Sequence, residues 1–408
     1  MSGETQSAPG ESGGVPEEQP RGADGERSAD ADEERTAGVA DERPTTAEGR
    51  CGYTHEASAV TGLGGVCCWR PVWGDTDRCI WHADVAQKPS RELEDAAPSV
   101  GDRLDGAIFR DVELSGADWL AGRTITDARF VNCNLEETDL SGCDLRYSHF
   151  EGVDAQSVNL RGSNLEHTEF HRTDLREADL CGARLHYAVF DNARIDESTN
   201  FGNNVVYEDE LLDAEDDGIT SLRVRRKHES GGDRMTRYEA SHWTYKELQR
   251  LTQENGLTAA SRNYYLQQKD VRRREAWEYG SYPRALAKEA WRWTTGYGSN
   301  PWRVIATAAG VIVVCAVLFP LLGEVHAGTP SGTPVEYTFN TRMGLRYNFV
   351  VFLHSLYFSV VTFATLGYGD MQPVLFGAQA IAAAEALFGQ LLMALLVFVM
   401  TRNVTWSE

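Results

Sequence analysis

From residue 104 to residue 201 the chain repeats itself every five residues. The apolar position falls at Ile125, Phe130, Leu135, Leu140, Leu145, Phe150, Ala155, Leu160, Leu165, Phe170, Leu175, Leu180, Leu185, Phe190 and Ile195. Two residues before it stands a small one, as at Ala128, Ser148, Thr168 and Ala183. A period of five fits neither a helix of 3.6 residues per turn nor a strand of 2. The segment must therefore turn at regular intervals and stack on itself. An earlier run, Phe109, Leu114 and Trp119, is out of register by one residue, which predicts a bulge near Trp119 and Leu120.

In units such as Ala178-Asp179-Leu180-Cys181-Gly182 this run resembles the pentapeptide-repeat family. The resemblance implies a right-handed quadrilateral β-helix with four pentapeptides per coil, large residues on the axis and small ones beside them. Eighteen or so repeats make four to five coils, a rod of roughly 20 Å at the strand spacing of about 4.8 Å. Cys133, Cys143 and Cys181 are expected at inward small positions, as core filler. His149, His167, His171 and His186 are expected on the surface at turns. Some family members mimic DNA, yet the outward acids here read as solvated faces.

The second constraint is Thr365-Leu366-Gly367-Tyr368-Gly369-Asp370, set between apolar segments. Two glycines flanking an aromatic allow backbone conformations that other residues resist, so that a row of carbonyls can point one way. Such a row replaces an ion's hydration shell in a channel filter. Residues 304–322 carry no charge, and residues 374–400 carry only Glu385; each is long enough to cross a bilayer. Between them, residues 349–363 are apolar but too short to cross and return, which fits a re-entrant helix. Arg303 before the first span and Arg402 after the second place both termini in the cytoplasm by the positive-inside tendency.

The order of outer helix, pore helix, filter and inner helix resembles the two-transmembrane potassium channel pore. The resemblance implies an all-α membrane domain over residues 303–402 in a homotetramer, with K⁺ lined by carbonyls of Thr365, Leu366, Gly367, Tyr368 and Gly369. It places Asp370 as the outer anchor, and Tyr357 and Phe358 as pore-helix aromatics that brace the filter. Gly389 matches the gating-hinge glycine; helix packing is an equal alternative. Leu366 and Ala364 depart from the usual valine and threonine and bear on selectivity. Glu385, a charge inside a span, is a functional candidate: it faces the pore and gathers cations, or it is tied behind the filter by hydrogen bonds.

Residues 51–84 form a third pattern, with Cys51, His55, Cys67, Cys68, Cys79 and His82 among Tyr53, Trp69, Trp73 and Trp81. Thiolates and an imidazole at these spacings suit a tetrahedral structural Zn²⁺ held by Cys51, Cys68, Cys79 and His82, with Cys67 as the alternative to Cys68. A segment this short has little core of its own, and a metal would supply folding energy. Buried thiols around a tryptophan cluster are the competing reading.

Residues 1–50 lack aromatics and hold 13 acidic against 5 basic residues, a composition expected to stay disordered. The N-terminus shows no apolar signal-peptide core. Residues 202–300 read as a linker with an acidic run, a basic run at residues 223–227, and a helical hairpin at residues 245–254 and 257–279 broken at Asn255-Gly256. Tyr264, Tyr265 and Trp277 are expected to pack that hairpin. Residues 285–302, with Arg284, Lys288, Arg292 and several tryptophans, read as an interfacial helix. The net charge of −22, with 61 acidic against 39 basic residues, argues against a nucleic-acid partner.

These patterns predict a potassium-selective channel of the cell membrane whose N-terminal rod serves regulation or docks a cytosolic protein. A membrane-anchored scaffold and a non-selective cation channel are the alternatives. No phosphate-cradling loop, nucleophile motif or HExxH is present, so an enzyme is not expected.

Overall fold

The computed structural model describes residues 49–55, 66–99, 102–216, 236–322, 325–327, 335–340 and 342–405. The acidic tail expected over residues 1–50 lies outside these apart from Gly49 and Arg50, as does the basic run at residues 223–227.

A short antiparallel pair, β1 (Thr54–His55) with β2 (Val66–Cys67), precedes helix α1 (Ser90–Asp95). The rod follows. Its five strands, β3 (Ile108–Arg110), β4 (Arg129–Val131), β5 (His149–Glu151), β6 (Glu169–His171) and β7 (Val189–Asp191), stack in parallel in sequence order. Four spacings of about 4.8 Å give roughly 19 Å of rod.

Each coil is built from local chemistry. The residue two after each axial position from Ile125 to Phe190 takes the left-handed conformation, including non-glycine residues such as Asp127, Tyr147, His167 and Arg172. That corner turns the chain toward the next face. An Asp or Asn just before the axial residue accepts from the amide two residues on, as Asp139 from Ser141 at 2.9 Å and Asp179 from Cys181 at 3.0 Å. The small inward hydroxyls are satisfied too: Ser163 Oγ donates to Leu140 O at 2.7 Å and Thr168 Oγ1 to Leu145 O at 2.9 Å, one coil back. Phe109, Phe130, Phe150, Phe170 and Phe190 stack along the axis with centroids 4.6 to 5.0 Å apart.

The register break lies where expected. Ile108 pairs with Arg129 across the first coil, whereas Arg129 pairs with His149 across the next, so the first coil holds one extra residue. Leu120 takes the axial place and Trp119 is displaced against Trp81.

Two expectations fail in the rod. Cys133 and Cys143 are inward and buried, but Cys181 is only half-buried, because it follows the axial Leu180 and sits on the corner. His186 is half-buried rather than fully exposed; its ring packs under Trp243 and against Tyr207.

Beyond the rod come α2 (Val206–Asp216), α3 (Arg237–Glu254) and α4 (Thr258–Glu278); α2 and α3 meet its last coils, and α4 packs on α3. Helix α3 starts earlier than the hairpin pattern suggested, because Thr236 and Glu239 form a capping box. Arg250 donates to Phe190 O at 2.7 Å, and Asn255 both accepts from Ile195 N at 3.1 Å and donates to Ala193 O at 3.0 Å. Tyr264 packs in the hairpin against Tyr245, but Trp277 does not; it is exposed beside Tyr282.

Helix α5 (Tyr282–Thr295) ends at Gly296, so the expected interfacial helix stops before Trp302, which instead opens α6 (Pro301–Leu322). After α6 come β8 (Val325–Ala327), β9 (Val335–Glu336), α7 (Gly344–Phe363), β10 (Met371–Pro373) and α8 (Phe376–Thr405). The pore-helix candidate α7 begins five residues before residue 349, and α8 runs past residue 400. Pro301–Leu321 and Phe376–Asn403 are long and apolar enough to cross a membrane. The order β10–β8–β9 had no signature in the sequence; it pins the segment after the filter to the end of α6.

Candidate functional site

The filter stretch begins where α7 stops. Thr365 N donates to Thr362 O at 3.0 Å and Leu366 N to Val361 O at 2.9 Å, the two bonds of a Schellman ending. Thr365 stands in the left-handed place that glycine usually fills, at φ +52°. Gly367 and Gly369 are left-handed as well, at φ +55° and +76°, while Leu366 and Tyr368 are not. Left-handed and ordinary backbone thus alternate residue by residue from Thr365 to Gly369. A β-branched residue resists that φ, so Thr365 stores strain of about 1–3 kcal/mol.

Tyr357 Oη donates to Asp370 Oδ2 at 2.9 Å, tying the far end of the filter to the pore helix. Phe358 points the other way; it is buried, with its ring edge-on to Phe319 of α6 at 4.8 Å. Leu366 and Tyr368 are 55% and 67% exposed within one subunit, so the chain's own residues do not enclose the filter.

The inner helix meets this unit at two points. Glu385 is buried, and the Ser359 hydroxyl of α7 lies within hydrogen-bond reach of both its carboxylate and Ile312 O of α6, the latter at 2.9 Å. Glu385 therefore lies at a junction of three helices behind the filter. At Gly389 a methyl group would fall on the Phe363 carbonyl, 3.1 Å from its carbon. The glycine permits backbone contact between inner helix and pore helix, which favours the packing role over the hinge.

At the rod side of the membrane helices, Arg402 of α8 lies 4.3 Å over the Tyr265 ring and donates to Tyr265 Oη at 3.1 Å and Tyr297 O at 3.4 Å. Arg262 of α4 donates to Ser299 O at 2.6 Å in the same α5–α6 turn. The inner helix is thus held by the hairpin that closes the rod. Nothing in the sequence pairs Arg402 with Tyr265, because they are 137 residues apart.

In the N-terminal module, Cys51, Cys68, Cys79 and His82 are all buried, with their ligand atoms within 4.8 Å of one another. Cys67 and His55 stand outside the cluster. Cys68 Sγ is 3.7 Å from Cys79 Sγ, and His82 Nδ1 is 3.4 Å from Cys51 Sγ and 3.3 Å from Cys79 Sγ. The thiols compete for protons: hydrogen bonds from Cys68 and then Cys79 pull Cys51 far below its ordinary range, and the contact with Cys51 drives Cys79 up. Among the described residues the module has no separate core; Trp81 and these cysteines belong to the same apolar cluster as the rod.

Comparison with known proteins finds a match for part of the rod and for the segment from β9 through α8. Residues 123–201 match the pentapeptide repeat region model and residues 335–405 the ion channel model. Among solved structures, Rfr23, a pentapeptide repeat protein from the cyanobacterium Cyanothece 51142, is 24% identical over 26% of this chain and 67% of its own, with a TM-score of 0.17. A pentapeptide repeat protein from the Arabidopsis thaliana thylakoid lumen is 24% identical over 28% of this chain and 82% of its own, with a TM-score of 0.18. One from Nostoc PCC 7120 is 24% identical over 29% and 88%, at 0.11. No curated protein matches the chain. Both families are of non-enzymatic kinds, and with two apolar helices the channel match points to an oligomeric membrane protein. The chain joins a pentapeptide repeat region to an ion channel domain.

Proposed function

We propose that four copies assemble in the cell membrane as a potassium-selective channel, with both termini in the cytoplasm and residues 365–370 as the filter. The observation that carries this reading is the alternation of left-handed backbone at Thr365, Gly367 and Gly369, braced by Tyr357 on Asp370. Carbonyls lining one path replace an ion's hydration shell. The exposure of Leu366 and Tyr368 within one subunit supports enclosure by neighbouring copies.

The cytosolic rod and hairpin regulate this pore or dock a protein that does. Their route to it is the Arg402 contact on the inner helix, besides the covalent link through α5 into α6. Cys51, Cys68, Cys79 and His82 hold one structural Zn²⁺.

Purified protein in liposomes should pass K⁺ in preference to Na⁺, and Gly367→Ala should abolish flux with the tetramer intact. Flux without K⁺ preference would make it a non-selective cation channel. An intact tetramer without flux would leave a membrane-anchored scaffold.

A further inference from the structure

A parallel stack of strands exposes unpaired amides and carbonyls at each end, and repeat proteins close such ends with non-repeat elements. Here the C-terminal end is closed by α3, through Arg250 and Asn255. Among the described residues the N-terminal end carries only the six-residue α1, whose Leu93 is buried in the rod's core cluster and whose Ser90 Oγ donates to Glu113 O. We infer that the zinc site is the rod's other end cap: the ion locks the segment from Cys79 to Lys88 over the first coil and closes the edge where the repeat begins. This rests on zinc being bound by the four residues named above.

The ligand geometry supports the ion itself. Zn–S bonds of about 2.3 Å and Zn–N bonds of about 2.0–2.1 Å at tetrahedral angles put sulfur atoms about 3.8 Å apart and nitrogen about 3.6 Å from sulfur. The observed separations are 3.7 Å between Cys68 and Cys79 and 3.3 to 3.4 Å from His82 Nδ1 to Cys79 and Cys51. Successive residues on an extended chain face opposite sides, so Cys68 turning inward leaves Cys67 on the other side.

The surroundings support the cap. His82 Nε2 lies 2.9 Å from Asp105 O in the first coil, and donation there leaves Nδ1 as the ligand nitrogen. Tyr53 stacks on the His82 ring at 4.0 Å. Arg70 reaches both Cys68 Sγ at 3.7 Å and Arg103 O at 3.2 Å, bringing a positive charge to a cluster of three thiolates. Trp81, fully buried, sets its ring edge-on to Phe109, the first ring of the axial stack. Its carbonyl accepts from Ile108 N at 2.8 Å, Gln87 N donates to Arg110 O at 2.9 Å, and Lys88 Nζ donates to Ile108 O at 2.5 Å. These residues occupy the place a preceding coil would hold against β3. Their own helix has six residues and their strands two each, so the segment depends on the rod's core and on the ion rather than on secondary structure of its own.

The test uses the full-length protein in detergent. Metal analysis should find one zinc per chain, lost in Cys68→Ser and retained in Cys67→Ser; cobalt exchanged for zinc should show the absorption of a tetrahedral thiolate site. No stoichiometric zinc, or retention in Cys68→Ser with loss in Cys67→Ser, overturns the site. Chelation should then speed amide exchange in residues 104–120 by about tenfold or more, with residues 160–190 unchanged and protection restored by added zinc. Stoichiometric zinc whose removal leaves residues 104–120 as protected as before overturns the cap and leaves the site standing.

Discussion

Gly389→Ala separates the two roles open to this glycine. The added methyl would lie on the Phe363 carbonyl oxygen, 3.1 Å from the carbonyl carbon and 3.3 Å from the ring. Carbon atoms settle at about 3.5–4.0 Å, so the inner helix or the pore-helix end must yield by roughly half an ångström or more. Overpacking of this kind costs about 1–3 kcal/mol, and removing a helical glycine returns roughly 0.5–1 kcal/mol. The net is a loss of about 1–2 kcal/mol per subunit. It falls next to Thr365, which already holds a strained conformation, so the filter shares the displacement. Gly310 on α6, with nothing within 4 Å of a methyl placed there, is the internal control, and its alanine variant should be neutral or slightly stabilising. The assay is the melting temperature of the detergent-solubilised tetramer, followed by K⁺ and Na⁺ flux in liposomes. Gly389→Ala should melt lower than both wild type and Gly310→Ala and lose K⁺ preference. A variant that melts as high as Gly310→Ala, with selectivity kept and only gating altered, would refute the packing argument and restore the hinge.

Three further outcomes follow from the same geometry. Glu385→Gln should leave single-channel conductance unchanged, because the carboxylate sits behind the filter and an amide oxygen still accepts from Ser359; a clear fall in conductance would place the group in the ion path. Arg402→Gln removes a cation–π contact and two hydrogen bonds, together about 1–3 kcal/mol, which shifts the closed–open equilibrium roughly 5- to 150-fold. Deletion of residues 1–200 should shift open probability in the same direction and should not add to Arg402→Gln; full additivity in single-channel recordings would break the proposed route. His242 on α3 is held down at about 4 by burial and by Arg272, Lys269 and Lys246, so the unfolded chain takes up its proton first. Hairpin stability should therefore be full above about pH 6.5 and fall by on the order of 1–2 kcal/mol toward pH 4, after allowance for its partial exposure, and His242→Gln should flatten that slope in urea unfolding.

The repeat was legible in the chain because each corner is made from residues adjacent in sequence. A left-handed residue and one axial side chain recur every five positions, many of them with an Asp or Asn turn, and even the extra residue near Trp119 shows as a slip in that period. The filter was legible for the same reason, since its backbone alternation is carried by glycines two apart. The Cys and His residue types of the cluster were legible too, but not the choice of Cys68 over Cys67, which depends on which side of an extended segment faces the core.

Tertiary structure alone decided the rest. The inner helix is apolar around its whole circumference, so no contrast along the sequence marks the face that meets the pore helix; only packing puts Glu385 on Ser359 and Gly389 on Phe363. The caps at the two rod ends and the Arg402 contact join residues far apart in the chain, from elements with different periods or none. Sequence by itself determined what repeats and where the backbone alternates in handedness after α7, because both are local backbone geometry. How rod, hairpin and pore hold one another was set by contacts that no local pattern encodes.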